Sequence, residues 1–337
     1  MKVIGIDPGT ATYDFVVLED GKFMEEKTIA TNEVKIDPGV IIEFIKNFNP
    51  DKVIAPSGYG MPLKEISDLC ENDFFRINLK KPVKENNNIS NLGLTKVLKL
   101  MIENKIPGCI IPGVKHLPSV PDYRKINKID MGTPDKVCSA ALALSYYENY
   151  NSASFILAEI GSAFNAFIAV VNGKIIDGIG GTLASSGMMS PGKLDGEIAY
   201  FMGDFEKEIL FGGGRKSIKN IDKKFRRDYF IEGILKDIAE LLTVADTKTI
   251  ILSGRISKNK EFINEFEYKF SNTKIFSGFE IKRLNNLPGV KKASHSAQGS
   301  AIIADGILGG KYEELVEQIE LQNAGGSVFD YIYIGNF

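Results

Sequence analysis

Residues 1–12 read Met-Lys-Val-Ile-Gly-Ile-Asp-Pro-Gly-Thr-Ala-Thr, a short apolar strand followed by a small polar turn. Asp7 ends the strand and a second apolar run follows the turn, so the pattern predicts a β-hairpin. Gly9 has no Cβ to keep a ligand away from the backbone, while Thr10 and Thr12 add hydroxyl groups beside free turn N–H groups. Such a turn can bind phosphate, and Asp7 would then hold magnesium through water. An ordinary Asp-Pro-Gly turn is the alternative.

The same pattern occurs again near the middle of the chain. Residues 154–159 form an apolar run that ends at Glu159, and Gly161 and Ser162 lie in the turn before the next apolar run. Asp7 and Glu159 therefore occupy similar places in two halves. Because two facing hairpins with carboxylates can hold one metal–nucleotide complex between domains, this internal repeat predicts a nucleotide cleft.

Length and composition are those of an ordinary globular protein. The 337 residues suit two domains, and 44% hydrophobic and 25% charged residues suit a packed core. The break near residues 149–154 is the best boundary, which gives predicted domains at 1–150 and 151–337. Whether the C-terminal segment packs back on the first domain is left open.

Charge, apolar runs and cysteine spacing exclude several classes of function. The net charge of −2 and the short basic runs at 80–84 and 223–227 argue against nucleic-acid binding through bulk charge. The chain starts with a strand and has no run of membrane-spanning length, so we expect no signal peptide, no membrane partner and a cytoplasmic location. Three cysteines without metal or disulfide spacing fit a reducing compartment, and two histidines argue against zinc or Ser/His chemistry.

The remaining sequence alternates strands and helices. An apolar strand beginning at residue 248 runs into Ser253-Gly254-Arg255 and then a helix, a pattern that commonly presents flat backbone to a base. We predict helices at 38–47, 92–103, 134–149, 224–244, about 260 onward and 293–310, and further strands at 52–56, 109–112, 164–171, 174–178 and 328–334.

Taken together, these segments resemble five signature segments of the acetate and sugar kinase, heat-shock chaperone and actin superfamily. The hairpins at Asp7 and Glu159, the turn at Gly254 and the two Ala-rich helices follow the superfamily order of phosphate 1, connect 1, phosphate 2, adenosine and connect 2. The resemblance spans residues 2 to about 310. It implies an α/β fold of two ribonuclease H-like, actin-like ATPase domains, each a mixed sheet with flanking helices, with ATP and Mg²⁺ in the cleft between them.

More narrowly, the chain resembles an archaeal family of predicted butyrate kinases. Residues 56–63 resemble the substrate loop of butyrate kinases, residues 118–122 the strand end with the catalytic aspartate, and residues 180–192 the turn after phosphate 2. Two departures matter: Tyr59 stands where the substrate loop has an arginine, and residues 130–132 replace a histidine at the start of connect 1.

The candidate site residues follow from the hairpins and from this resemblance. Asp122 is the acid/base candidate, and Arg124 could neutralise a carboxylate or the transferred phosphoryl group. Asp135 lies in the first turn of a helix, where compensation of the helix dipole is as good an explanation as catalysis. The nucleotide-binding set is Asp7, Gly9, Thr10, Thr12, Glu159, Gly161, Ser162, Gly181, Thr182, Ser253, Gly254 and Arg255, with Asp7 and Glu159 for the metal; the substrate-binding set is Ser57, Gly58, Tyr59 and Gly60.

The leading hypothesis is an ATP-dependent kinase for a small molecule, with a short-chain carboxylate such as butyrate as the acceptor and an acyl phosphate as the product. One alternative is an ATP-hydrolysing switch or activator that acts on a protein partner. Another is a sugar or amino-sugar kinase, in which Asp122 would act as base toward a hydroxyl. A homodimer is left open.

Overall fold

The computed structural model describes residues 1–79 and 93–335 of the chain. Within them the chain forms two mixed β-sheets, one from each half of the sequence. The first sheet consists of β1 (Lys2–Pro8), β2 (Thr12–Glu19), β3 (Lys22–Ala30), β4 (Lys52–Ile54), β5 (Lys64–Glu65) and β6 (Gly108–Ile110); the second consists of β7 (Phe155–Ile160), β8 (Asn165–Val171), β9 (Lys174–Ile179), β10 (Thr249–Ser253) and β11 (Glu280–Arg283).

Both sheets are built in the same way. In the first, β1, β2 and β3 form an antiparallel meander, and β4 and then β6 extend the other side of β1 in parallel. In the second, β7, β8 and β9 form the meander, and β10 and β11 extend β7 in parallel. Asp7 and Glu159 each lie next to the last residue of the strand that joins the two parts, so the repeat expected from the sequence is present in the sheets.

Helices flank both sheets, as expected for strands that are buried on both faces. The bounds are α1 (Thr31–Ile36), α2 (Gly39–Lys46), α3 (Glu71–Asn78), α4 (Leu94–Glu103), α5 (Asp122–Lys125), α6 (Pro134–Leu144), α7 (Gly196–Met202), α8 (Lys223–Leu242), α9 (Lys260–Ser271), α10 (His295–Ile307) and α11 (Glu313–Gln318). No helix among residues 1–79 and 93–335 is both long enough and apolar enough to cross a membrane.

Two Ala-rich helices, α6 and α10, pack against each other in the core that joins the sheets. They approach closely because glycines leave room. A Cβ on Gly299 of α10 would lie 1.7 Å from the carbonyl oxygen of Cys138 in α6, and a Cβ on Gly5 of β1 would lie 2.2 Å from the backbone nitrogen of Ala301. Helix α10, from the second half of the chain, therefore packs directly on the first strand, β1.

The C-terminal segment also returns to the first half. The buried ammonium of Lys115 donates to the carbonyls of Val328 and Asp330 at 2.7 and 2.6 Å, and Phe329 stacks on Phe75 of α3. This segment consists of turns, so the strand predicted at residues 328–334 is wrong. Its carbonyl groups bind a lysine side chain instead of a neighbouring strand.

Other predicted bounds differ in detail. The helix predicted at 134–149 ends at Leu144, because the Ser145 hydroxyl donates to the Leu142 carbonyl and closes the last turn. β11 was not predicted, since its residues are mostly exposed and charged. The basic run at 80–84 and residue 92, the first of a predicted helix, lie outside the described residues. The domain boundary, the homodimer and the cytoplasmic location stay predictions.

Candidate functional site

A cleft of about 1530 Å³ is lined by both halves of the chain. It brings together most of the residues predicted from the sequence, although these are up to 248 positions apart. Lining it are Asp7, Gly9, Thr10, Thr12, Ser57, Gly58, Tyr59, Asp135, Glu159, Gly161, Ser162, Gly181, Thr182, Ser253, Gly254 and Arg255.

The two hairpin turns have the same local geometry. A Cβ on Gly9 would lie 2.7 Å from the Thr12 carbonyl oxygen, and a Cβ on Gly161 would lie 2.4 Å from the Phe164 carbonyl oxygen. Each turn therefore needs glycine two residues after its carboxylate, because the chain folds back directly over that position. Both turns line the cleft, and the N–H groups of Gly9 and Gly161 donate to the carbonyls of Asp7 and Phe164 at 3.1 and 3.0 Å, so these glycines shape the turns rather than supply donors to an anion.

Lys136 pairs with Glu159, one of the two predicted metal-binding carboxylates, and with Asp135. Its ammonium donates to Glu159 Oε1 at 2.5 Å and to the neighbouring Asp135 carboxylate, while the Ser139 hydroxyl donates to Glu159 Oε2 at 2.7 Å. Burial alone would lower the pKa of Lys136, but these two carboxylates outweigh it and raise that pKa. Lys136 is therefore charged, and it holds the second hairpin's acid against α6.

Asp7 belongs to the same charged group. Its carboxylate accepts a 2.6 Å hydrogen bond from the hydroxyl of Ser294, which caps α10. Burial and the nearby Asp135 raise the pKa of Asp7 to about 7. Burial is the larger cause of the raised pKa of Asp7, the negative charges of Asp135 and Glu159 add to it, and a cation bound at the cleft would favour the ionised form of Asp7.

The donor set fits a hard cation held through water. Within the described part of the chain, no three His, Cys, Asp or Glu side chains come close enough to hold a metal by themselves. Mg²⁺ keeps several waters and is usually bound by one or two carboxylates together with phosphate oxygens. Asp7 and Glu159 match that requirement, and they would hold the ion mainly through water.

The turn after β10 forms another wall of the cleft. Gly254 has φ +85°, and a Cβ there would lie 2.5 Å from the Ile160 carbonyl oxygen. This turn therefore packs on the end of β7, beside the second hairpin. The hydroxyl of Ser253 is hydrogen-bonded to Nδ1 of His295 at 2.7 Å, and burial lowers the pKa of His295 to about 4, so this histidine is neutral at pH 7.

The wall formed by the ends of β4 and β6, α3 and α4 is mainly apolar. Its polar groups already have partners: the Ser57 hydroxyl donates to the Ala55 carbonyl, and the Asn78 amide donates to the Phe74 carbonyl and the Thr95 hydroxyl. The apolar residues on this wall are Ile54, Ala55, Ile77, Leu94, Ile111 and Pro134.

Comparison with known proteins shows the family of this chain. A family model described as a protein of unknown function, DUF1464, matches residues 5–334. The chain belongs to the DUF1464 family. No curated protein matches its sequence at a significant level.

Solved kinases share the fold of this DUF1464 protein. A propionate kinase from Francisella tularensis has a TM-score of 0.57 at 12% identity, with 89% of this chain and 98% of that one covered. An acetate kinase from Entamoeba histolytica has 0.56 at 12% identity, covering 81% and 87%. A protein described as an N-acetylmannosamine kinase from Listeria monocytogenes has 0.51 at 12% identity, covering 89% and 97%.

These likenesses confirm the predicted fold class, an α/β chain with two actin-like ATPase domains. At 12% identity these likenesses show the fold alone, so the resemblance to the acetate and sugar kinase, heat-shock chaperone and actin superfamily stays a prediction. The narrower resemblance to butyrate kinases stays a prediction.

The predicted catalytic pair of the DUF1464 protein is not in the cleft. Asp122 begins α5, its side chain is 64% exposed, and it pairs with Lys125 at 3.1 Å. Arg124 donates to the Ile176 carbonyl and lies 3.8 Å from Asp177. Asp122 and Arg124 therefore lie away from the phosphate hairpins, because residues 118–125 pack against β9 and the C-terminal segment, and their catalytic role stays a prediction.

Two further predicted residues have structural partners. Gly60 is not in the cleft lining; a Cβ on it would lie 2.6 Å from the backbone nitrogen of Gly113, so it serves close backbone packing. Thr182 donates through its backbone N–H and its hydroxyl to Asp130, at 3.0 and 3.1 Å. Thr182 thereby joins the two halves at the edge of the cleft.

Three residues at the centre of the site carry no sequence signal of their own. Lys136, Ser139 and Ser294 form no motif, and the hairpin carboxylates that they contact are 20 or more positions away in the chain. A helix that starts at Pro134 has Asp135 and Lys136 in its first turn. The sequence does not indicate which carboxylate from another element Lys136 contacts.

Proposed function

We propose that this chain is an ATP-dependent phosphotransferase that acts on a small molecule. The observation that carries the proposal is the pair of equivalent glycine hairpins, each with its own carboxylate, that line one cleft together with Lys136. Phosphoryl transfer needs little covalent chemistry from the protein and depends on positioning and on neutralising charge. This cleft contains the groups for both tasks.

Each part of the cleft has a role in this proposal. Thr10 of the first hairpin and Ser162 of the second would bind the nucleotide phosphates through N–H and hydroxyl groups, and Gly9 and Gly161, which lack a Cβ, would let the phosphates approach the backbone. The turn at Gly254 would lie against adenosine. Asp7 and Glu159 would hold Mg²⁺ through water, and the ion would neutralise part of the phosphate charge when bound.

We propose a short-chain carboxylate as the acceptor. A sugar needs many free hydrogen-bonding groups around its hydroxyls, whereas the described polar groups of Ser57 and Asn78 are already used within the protein. The apolar residues of this wall are buried, so the wall is poor in groups that could bind the hydroxyls of a sugar. Lys96 and Lys207 also line the cleft and add positive charge that suits a carboxylate.

The proton balance supports the same acceptor. A carboxylate oxygen attacks the γ-phosphorus, the bond from the γ-phosphorus to the β-phosphate oxygen breaks, and acyl phosphate and ADP form without release of a proton. No general base is needed. A hydroxyl acceptor would release a proton, and Asp122, the base predicted for it, lies outside the cleft.

A nucleotide-driven switch is the second candidate, and one contact favours it. Lys207, from the second half, donates to the carbonyls of Asn78 and Leu79 in the first half at 3.0 and 3.3 Å. Such a bridge could open and close with nucleotide. A switch would hydrolyse ATP slowly in the absence of any small-molecule acceptor.

The test is ATP consumption with Mg²⁺ against a panel of short-chain carboxylates and sugars, with hydroxylamine present to trap acyl phosphate. We expect hydroxamate from one or more carboxylates, and its loss in Asp7→Asn and Glu159→Gln. Glu261→Gln is the matched control, since Glu261 pairs with Lys223 on an exposed surface. Phosphorylation of a sugar alone would refute the acceptor class, and slow hydrolysis that is indifferent to every acceptor would favour the switch.

A further inference from the structure

We propose that Lys136 is a catalytic residue whose ammonium contacts the phosphoryl group during transfer. The inference rests on the proposed function and goes beyond it, because no motif and no comparison assigns a role to Lys136.

The first observation is position. Lys136 lies in the first turn of α6, directly after Pro134 and Asp135, and lines the cleft with its side chain 16% exposed. Pro at the first helical position fixes the backbone there. The bond to Glu159 then holds the ammonium beside the second hairpin, so the cation has one defined place in the cleft.

The second observation is the count of donors. An ammonium has three N–H groups. Two of them donate to Asp135 and Glu159, and across residues 1–79 and 93–335 the third has no protein partner. Because the side chain borders the cleft, this third donor is available to an oxygen atom of a ligand.

The third observation is how the other cationic side chains of the cleft are placed. Lys207 is bonded to backbone carbonyls at the end of α3, away from the hairpin acids. Lys96, Lys216, Arg255, Lys258 and Lys292 line the cleft with exposed side chains. Among the described residues that line the cleft, Lys136 is the cation bonded to a hairpin carboxylate. Its ammonium therefore lies beside a hairpin that would bind the phosphates of the nucleotide.

The chemistry asked of Lys136 is electrostatic. As the acceptor oxygen attacks and the bond to the β-phosphate breaks, negative charge shifts over the γ-phosphoryl oxygens and onto the leaving ADP. The ammonium keeps its proton and stabilises this charge through a charge-assisted hydrogen bond. Loss of one such donor typically reduces turnover by about 10²–10³-fold.

The competing explanation is that Lys136 only balances buried carboxylates. The two roles differ in one measurable respect: a residue that touches the γ-phosphoryl group affects ATP more than ADP, whereas a purely structural ion pair affects both alike. Binding of ATP and of ADP with Mg²⁺, measured by calorimetry in the absence of an acceptor, separates the two roles without relying on activity.

For Lys136→Met we expect the Kd of ATP to rise at least tenfold, the Kd of ADP to change less than twofold, and transfer to fall at least a hundredfold. Lys125→Met is the control, because Lys125 is also a buried lysine paired with a carboxylate but lies outside the cleft. Its nucleotide affinities should stay within twofold of the wild type. Equal losses for ATP and ADP, or no change for ATP, would overturn the proposal.

Removing the ammonium leaves Asp135 and Glu159 without their partner, so Lys136→Met could fail to fold. The double variant Asp135→Asn/Lys136→Met removes one carboxylate together with the ammonium, and Lys136→Arg keeps the charge. We expect the double variant to bind ATP no more tightly than ADP, and Lys136→Arg to bind ATP more tightly than ADP. The reverse result would refute a phosphoryl contact. If the wild type transfers phosphate to no acceptor, the proposed function fails, while the comparison of ATP with ADP still tests Lys136.

Discussion

Substitution of Gly299 by alanine tests the packing that holds the two halves together. In an uncrowded helix interior, Gly→Ala stabilises by about 1 kcal/mol. At Gly299 the added methyl would lie 1.7 Å from the Cys138 carbonyl oxygen and 2.4 Å from its carbon, both backbone atoms that cannot rotate away. To remove this clash, α6 and α10 must separate by roughly 1.5 Å, a larger shift than the ones by which a core usually accommodates overpacking at a cost of about 1–3 kcal/mol.

We therefore expect Gly299→Ala to lower the free energy of unfolding by about 2 kcal/mol or more, net of the gain in helix propensity. Urea unfolding followed by circular dichroism measures the change as a lower midpoint. Gly196→Ala is the control: Gly196 begins α7 with no atom within 4 Å of its added methyl, so its stability should be unchanged or higher by up to about 1 kcal/mol. If Gly299→Ala were as stable as the wild type, the close approach of α6 and α10 would be wrong.

Three further predictions concern residues away from the cleft floor. Asp122→Asn should leave ATP turnover within twofold of the wild type, since Asp122 lies outside the cleft; a hundredfold loss would establish it as a catalytic residue. Burial raises the pKa of Asp237 to about 6. The folded state therefore binds the Asp237 proton more tightly than the unfolded state does. This tighter proton binding stabilises the fold below pH 4, and the stabilisation is lost as the pH rises toward 6. Asp237→Asn should therefore flatten urea midpoints measured from pH 4 to 7, and an unchanged slope would contradict this. Lys115→Met should speed hydrogen exchange of residues 325–333 at least tenfold, because it removes the donor to the Val328 and Asp330 carbonyls; unchanged exchange would show that Lys115 does not hold the segment.

The hairpins were predictable because their chemistry is local. Gly9 and Gly161 lie two positions after a carboxylate at a strand end, and the turn itself dictates both residues. The repetition of that unit in two halves predicted the cleft, and the fold class followed from the resemblance of these segments to a known superfamily. Asp122 shows the limit of such reasoning: its place in the order of motifs suggested catalysis, but α5 packs against β9 and the C-terminal segment, and no periodicity of residues 118–125 indicates that contact.

The sequence alone determined that the chain contains two equivalent strand–turn–strand units with acids at their ends, because strand pairing and glycine turns depend on neighbouring residues. Only the tertiary structure decided which charges meet. Lys136 reaches Glu159 across 23 positions of sequence, and Ser294 reaches Asp7 across 287. Gly5 lets α10 approach β1 closely, which brings Ser294 at the start of α10 to Asp7. The strength of a charge contact depends on distance in space and on burial, neither of which is written in the order of the residues.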